Sequence, residues 1–358
     1  MYLLICLLPG CETITTVWAG ESVALKYDRK ELEQKWQARI QSFLDKSVIP
    51  LIDLESSLKR TDGDRFLKDA IQVMDELGVA LIVFDGYEGP KKQRGYNWGY
   101  YIHRIVNSHP DRFILASNGG TNESWREQKD SFIDQTVEHV KSGAYPIMGE
   151  FDFRHYMSNH QCQAGRKDRD TDIPINSVNG RRIFALSEET DVAFVIHHEP
   201  EDRPLAELEA MLVAHPKAKV IWAHFGQIRQ PKKQKKFGPE LVRRLLSAYP
   251  NLYFDISTGH PGRRYKCNGS VLDTVIWQSD ALSSQKNTLK PEYKKILTEF
   301  SNRFVVGTDY GGGRRPLPEH VKKKVKNVRL ILRDLPVEAK HNIGYRNAWL
   351  LLTSKQYP

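Results

Sequence analysis

The chain of 358 residues is 40% hydrophobic, enough to bury a core that needs neither disulfides nor a structural metal for stability. Its four cysteines, Cys6, Cys11, Cys162 and Cys267, lack paired spacing, which speaks against a zinc finger or a disulfide framework and leaves imidazole and carboxylate to hold any metal. The net charge of +9 admits nucleic acid or an anionic membrane as a partner, yet no helix-turn-helix, zinc or single-strand-binding motif accompanies the lysines.

Residues 1–20 form a candidate signal segment. Met1 to Leu8 is apolar but falls short of the roughly 20 residues that span a bilayer, and it lacks a basic leader. Followed by Pro9-Gly10-Cys11, it resembles the end of a lipoprotein signal, with Cys11 as the lipid anchor and a periplasmic or membrane-anchored protein as the consequence. An ordinary hydrophobic N-terminal segment on a cytoplasmic protein is the alternative. Residues 21–47 read as a helical extension in which Leu32, Trp36, Ile40 and Phe43 share one face, expected to pack against the outside of the domain that follows.

From residue 48 to residue 358 the pattern changes. Short apolar or β-branched runs begin near Val48, Val79, Arg112, Tyr145, Asp191, Ala218, Asn251 and Arg303, with helical patterns between most of them. The runs are continuously apolar, as parallel strands covered on both faces require, and eight of them alternating with helices predict an α/β fold, a (β/α)8 TIM barrel. A doubly wound open sheet suits the alternation as well, but it does not need functional residues at the ends of so many strands. Spacings of about thirty to fifty residues imply extended loops, the largest between Phe151 and Ile183.

Those functional residues are Glu150, His197, His224 and Asp309, each at the end of an apolar run. A carboxylate or imidazole there must be solvated, paired or coordinated. Singly, each has an ordinary explanation: Asp309 lies in a turn-like Gly-Thr-Asp-Tyr-Gly-Gly, and Gly149-Glu150 reads equally as a salt-bridged strand end. Turn chemistry does not predict ligand-type residues after strands four, five, six and eight together. Asp53 suits a buried acceptor bracing the first loop, and Asp255 reads as structural. Period-two geometry turns His198 away from His197 and returns Glu199 to its side, making Glu199 a candidate for substrate or metal contact.

This array, with the closing segment Asn342-Ile-Gly-Tyr-Arg-Asn-Ala-Trp-Leu-Leu, resembles the amidohydrolase superfamily, in its amidohydrolase-related branch of lactonases, other hydrolases and decarboxylases. The likeness runs from about Ile49 to about Leu352. It departs at the first strand, where the family's Asp-x-His-x-His is Asp53-Leu54-Glu55-Ser56-Ser57 here. The resemblance implies one divalent metal ion held by Glu55, Glu150, His197 and Asp309, with Asp309 also taking a proton from the attacking water and His224 holding substrate or an oxyanion. A carboxylate in place of two imidazoles makes the site harder, favouring manganese or iron, with zinc retained as an option. The rival is a barrel that has lost its metal, in which Glu55, Glu150 and Asp309 require basic partners.

Substrate signals are fewer. Arg154 and Arg229 suit bidentate pairing with a carboxylate or phosphate, or else surface salt bridges. Trp98, in the aromatic run Tyr96-Asn-Trp98-Gly-Tyr100-Tyr101, suits stacking on a substrate face or capping of the core. The runs Lys232, Lys233, Lys235, Lys236 and Lys322, Lys323, Lys324, Lys326 read as solvated faces. The expectation is a metal-dependent hydrolase of a small anionic carbonyl compound, with decarboxylation in the same site, or a non-catalytic ligand-binding barrel, as alternatives. A small molecule is the expected partner, with no specific nucleic acid and an oligomer left open.

Overall fold

The computed structural model describes residues 26–57, 63–85, 105–117, 119, 123–167, 170–226, 229–230, 238–258, 263–270, 288–311 and 317–358. Cys11, Trp98 and the first lysine run lie outside them. Eight parallel strands follow chain order: β1 (Leu51–Ser57), β2 (Val79–Asp85), β3 (Phe113–Ala116), β4 (Ile147–Asp152), β5 (Ala193–His197), β6 (Val220–Trp222), β7 (Leu252–Asp255) and β8 (Phe304–Val305). One sheet runs β1 to β3, with the short parallel strand Tyr310–Gly311 on the outer side of β1, and the other runs β4 to β8. Backbone hydrogen bonds join the two at both seams, from Ser117 N to Ile147 O at 3.0 Å and from Leu54 N to Val306 O at 2.9 Å. The cyclic order is that of a (β/α)8 barrel.

Alternation along the strands divides the core in two. Leu115, Met148, Phe194, Ile196, Trp222 and Phe254 pack outward against the surrounding helices. Ile52, Leu54, Val83, Ile114, Ile147, Val195, Ile221 and Val305 pack inward on one another. The helix Arg29–Leu44 opens with a capping box, Asp28 accepting from the Glu31 N–H while the Glu31 carboxylate accepts from Asp28 N. Its apolar face joins the inward cluster, not the outer one. That corrects the expected packing on the outside: Leu32, Trp36, Ile40 and Phe43 plug the N-terminal end of the barrel together with Tyr345 and Trp349. Burying each of these aliphatic or Phe side chains stabilises by about 1.5–3 kcal/mol.

The long segment after β4 carries a two-stranded antiparallel ladder, Arg154–His155 with Thr171–Asp172, and a short helix, Asn159–Gln163. There the structure corrects the cysteine expectation, since Cys162 and Cys267 are joined in a disulfide across 105 residues of sequence. Spacing carried no hint of it, because the barrel brings the loops after β4 and β7 together. Among the described residues, no helix is long and apolar enough to cross a membrane.

Candidate functional site

The C-terminal ends of the strands gather the polar residues. His197 follows the inward-facing Ala193 and Val195, so alternation alone directs it inside. Glu55 and Glu150 arrive differently. Leu54 and Ile147 already face inward, so strict alternation would turn both glutamates toward the helices. Each strand instead carries one extra residue: β1 between the pairs Asp53 with Ile82 and Ser56 with Phe84, and β4 between Met148 with Phe194 and Phe151 with Ile196. These bulges re-aim the carboxylates. Gly149 makes the second one feasible, with φ +88 and with Val195 O only 2.5 Å from where a Cβ would stand.

Glu150 Oε1 lies 3.0 Å from His197 Nδ1 and 3.3 Å from His224 Nε2, and Glu55 Oε1 lies 3.7 Å from the same His224 nitrogen. His224 sits in left-handed backbone, φ 60, and its N–H donates to Asp255 Oδ1 at 2.8 Å. Ser257 Oγ lies within hydrogen-bond distance of His224 Nδ1, Glu55 Oε2 and Asp255 Oδ1. Asp53 braces the base, accepting from Ser56 Oγ, Thr308 Oγ1 and Thr308 N.

Asp309 donates its N–H to Glu55, but its carboxylate turns to Lys324 Nζ at 3.1 Å and stays outside the cluster of ligand-type atoms. Arg229 Nη1 donates to Glu199 Oε1 and to His197 Nε2, both at 2.7 Å, while its N–H donates to Glu199 Oε2. Arg154 is engaged elsewhere: it donates to Asp170 Oδ1 and Thr171 O and lies over the Tyr156 ring, bracing the loop after β4. His198 donates to Pro204 O, facing outward.

The amidohydrolase family model matches residues 146–352, more than half of the chain. The chain belongs to the amidohydrolase family. No curated protein sequence matches it. Solved structures similar to it include an apo protein of Agrobacterium tumefaciens, 11% identical, covering 86% of this chain and 95% of its own, with a TM-score of 0.48. An N-isopropylammelide isopropylaminohydrolase of Burkholderia multivorans is 11% identical, covering 85% and 73%, with a TM-score of 0.40. An amidohydrolase 2 of Bifidobacterium longum subsp. infantis is 11% identical, covering 87% and 84%, with a TM-score of 0.31. Membership supports a hydrolase- or decarboxylase-type reaction.

In this amidohydrolase, donor type and spacing fit a divalent cation. Ligands of one such ion stand roughly 3–3.5 Å apart, close to the separations of Glu150 from His197 and His224, while Glu55 lies 3.7 Å from His224 and groups with His224 and Asp255. Charge agrees. Burial, followed by the carboxylates of Asp255, Glu150 and Asp309, pushes the Glu55 carboxyl well above its ordinary value. Burial also raises Asp255, and Asp255 Oδ2 is buried without a hydrogen-bond partner. Burial would raise Glu150 too, but hydrogen bonds from His197 and His224 hold it well below the carboxylate range. Burial opposes charge on His224, yet the surrounding carboxylates raise its pKa. Lys324 serves Asp309 and Arg229 serves Glu199, whereas Glu55 and Asp255 share His224. A cation would relieve that excess.

His197 is neutral, its pKa lowered to about 3 by burial against the opposing pull of Glu150. Because Arg229 donates to Nε2, the ring proton sits on Nδ1. Ligation through Nδ1 requires that proton on Nε2 and Arg229 turned aside. A second group, Asp152, His155 and His197, has ligand-type atoms within 4.8 Å of one another, and Arg229 already places its guanidinium at His197 there.

Sequence reasoning missed Asp255, Ser257 and Lys324. Parity was the available signal for the first two, since Asp255 and Ser257 lie two residues apart in the inward register. In the sequence Lys324 reads only as part of a charge run.

Proposed function

We propose that the protein is a metal-dependent hydrolase of a small anionic carbonyl compound, an amide, ester or lactone. The observation that carries this reading is the convergence of Glu150, His197 and His224 at spacings suited to one zinc, manganese or iron ion, with Glu55 beside them, 3.7 Å from His224. When bound, such an ion lowers the pKa of a coordinated water and polarises a carbonyl.

The chain's own residues do the rest. Burial raises the Asp309 carboxyl, but Lys324, His224 and Arg263 outweigh it and keep it ionised. With 43% of its side chain exposed, it takes the proton of the attacking water and returns it to the leaving group. In the arrangement the resemblance implies, His224 does not ligate the ion but donates from Nε2 to the oxygen of the bound carbonyl. Arg229, anchored by Glu199, offers its guanidinium to the anionic group of the substrate. Trp98 remains a candidate for stacking on the substrate.

The test is turnover of a panel of carboxylated esters, lactones and amides by manganese- or zinc-reconstituted protein. Asp309→Asn is expected to lower kcat at least 100-fold with little change in KM, as for loss of a proton-transfer group. Full activity in Asp309→Asn rejects its role as the base. Turnover that falls steeply with salt, and only on nucleic acid, rejects the substrate class.

A further inference from the structure

Segment 263–270, in the connection after β7, is fastened to its neighbours at the C-terminal end of the barrel. Cys267 is joined to Cys162 of the loop after β4. Asn159 Nδ2 donates to Arg264 O at 2.9 Å, and Asn159 Oδ1 accepts the Lys266 N–H at 2.8 Å. Asn268 Nδ2 donates to Arg229 O at 2.8 Å. Arg229 is thus held on both sides of its backbone, since its own N–H donates to Glu199 Oε2 at 2.8 Å. Within the segment, Tyr265 N donates to Ser270 O and Gly269 N to Tyr265 O, both at 2.7 Å, which closes a tight loop.

That loop buries Tyr265, which is 1% exposed and packs against Tyr156. Tyr156 donates its hydroxyl to Glu201, whereas among the described residues the Tyr265 hydroxyl has no hydrogen-bond partner. Burial raises the Tyr265 phenol, and no charge acts on it more than Arg229, which pulls it back down. Arg229 uses Nη1 for both Glu199 and His197, and among the described residues its Nη2 and Nε have no acceptor. Such an edge suits a carboxylate, whose two oxygens accept about four hydrogen bonds and leave room for a further donor. We propose that Tyr265 is a specificity-determining residue: its hydroxyl donates to the carboxylate that Arg229 binds, so that the segment after β7 selects an anionic substrate over an uncharged one. The disulfide, Asn159 and Asn268 then have a part in recognition, because they fix Tyr265 and Arg229 relative to each other.

The inference rests on the anionic-substrate reading above, and its test separates the two. Tyr265→Phe removes one oxygen and keeps the buried ring, while Asn268→Ala leaves Tyr265 in place and releases the Arg229 carbonyl. Propionate, with propanol as its uncharged counterpart, is titrated into the intact protein as purified and followed by ligand-observed NMR. Wild type is expected to bind propionate in preference to the alcohol. Loss of a hydrogen bond to a charged group is expected to weaken propionate about 10- to 100-fold in Tyr265→Phe, and Asn268→Ala to weaken it several-fold. In turnover, Tyr265→Phe is expected to raise KM for a carboxylated ester by a similar factor, with kcat within about two-fold, and to narrow its preference over the methyl-capped form. No turnover of any carbonyl compound, with propionate weakened in both variants, sinks the hydrolase reading and keeps the subsite. Propionate bound no better than propanol by wild type, or bound with unaltered affinity by either variant, overturns the subsite.

Discussion

Arg229 joins acceptors of two kinds, the buried carboxylate of Glu199 and the lone pair of His197. Glu199 is 1% exposed, and burial raises its carboxyl against the pull of Arg229. Removing the guanidinium strands a carboxylate away from water. Arg229→Met is therefore expected to cost about 3–5 kcal/mol of stability in urea unfolding, and Arg229→Met with Glu199→Met to recover much of it. A single variant within about 1 kcal/mol of wild type would show that the pair is not structurally coupled. The residue scale is also where sequence reading succeeded unevenly. Residue type and strand-end position pick out Glu150, His197, His224 and Asp309, and the resemblance adds Glu55; the first three have ligand-type atoms close together and Glu55 lies beside His224, whereas the Asp309 carboxylate turns to Lys324. The same signals placed Arg154 at the substrate, whereas its guanidinium is engaged by Asp170 and Thr171.

At the scale of elements, what the sequence could not carry is register. Both glutamates face the site through bulges, and a bulge depends on the pairing of two strands far apart in sequence. The disulfide is hidden for the same reason. Because Cys162–Cys267 closes a loop of 105 residues, reduction is expected to lower unfolding stability by about 2–4 kcal/mol and to release two further thiols. An unchanged thiol count after reduction and unfolding would show the bond to be absent.

The plug helix makes a separate prediction. Burial alone would raise the Asp75 carboxyl, but Arg112 and Arg39 bind it from the start of β3 and from the plug helix and hold it low. A lowered folded value means that its stabilisation is present above the unfolded pKa of about 3.9 and is lost as pH falls through the folded value. Asp75 is 45% exposed, so Asp75→Asn should cost at most about 1 kcal/mol at neutral pH. That difference should close in acid, and a gap that persists at the lowest pH would assign the effect to something other than this ion pair.

For the whole molecule, the barrel was legible because its signal is repeated eight times: continuous apolar runs, helices between them and a cyclic order that parallel strands impose. The plug was legible as a helix but not in its destination, since an apolar face does not say which core it enters. The barrel also explains the chemistry. Four carboxylates, Glu55, Glu150, Asp255 and Asp309, are drawn to the C-terminal ends of the strands, where, among the described residues, Glu55 and Asp255 share His224. The most direct test is the metal content of protein purified without chelator, by inductively coupled plasma mass spectrometry, for wild type, Glu55→Ala and Glu150→Ala. About one equivalent of divalent transition metal is expected in wild type and much less in both variants. Wild type that stays metal-free after reconstitution, or a Glu150→Ala protein with a full equivalent, would contradict the account.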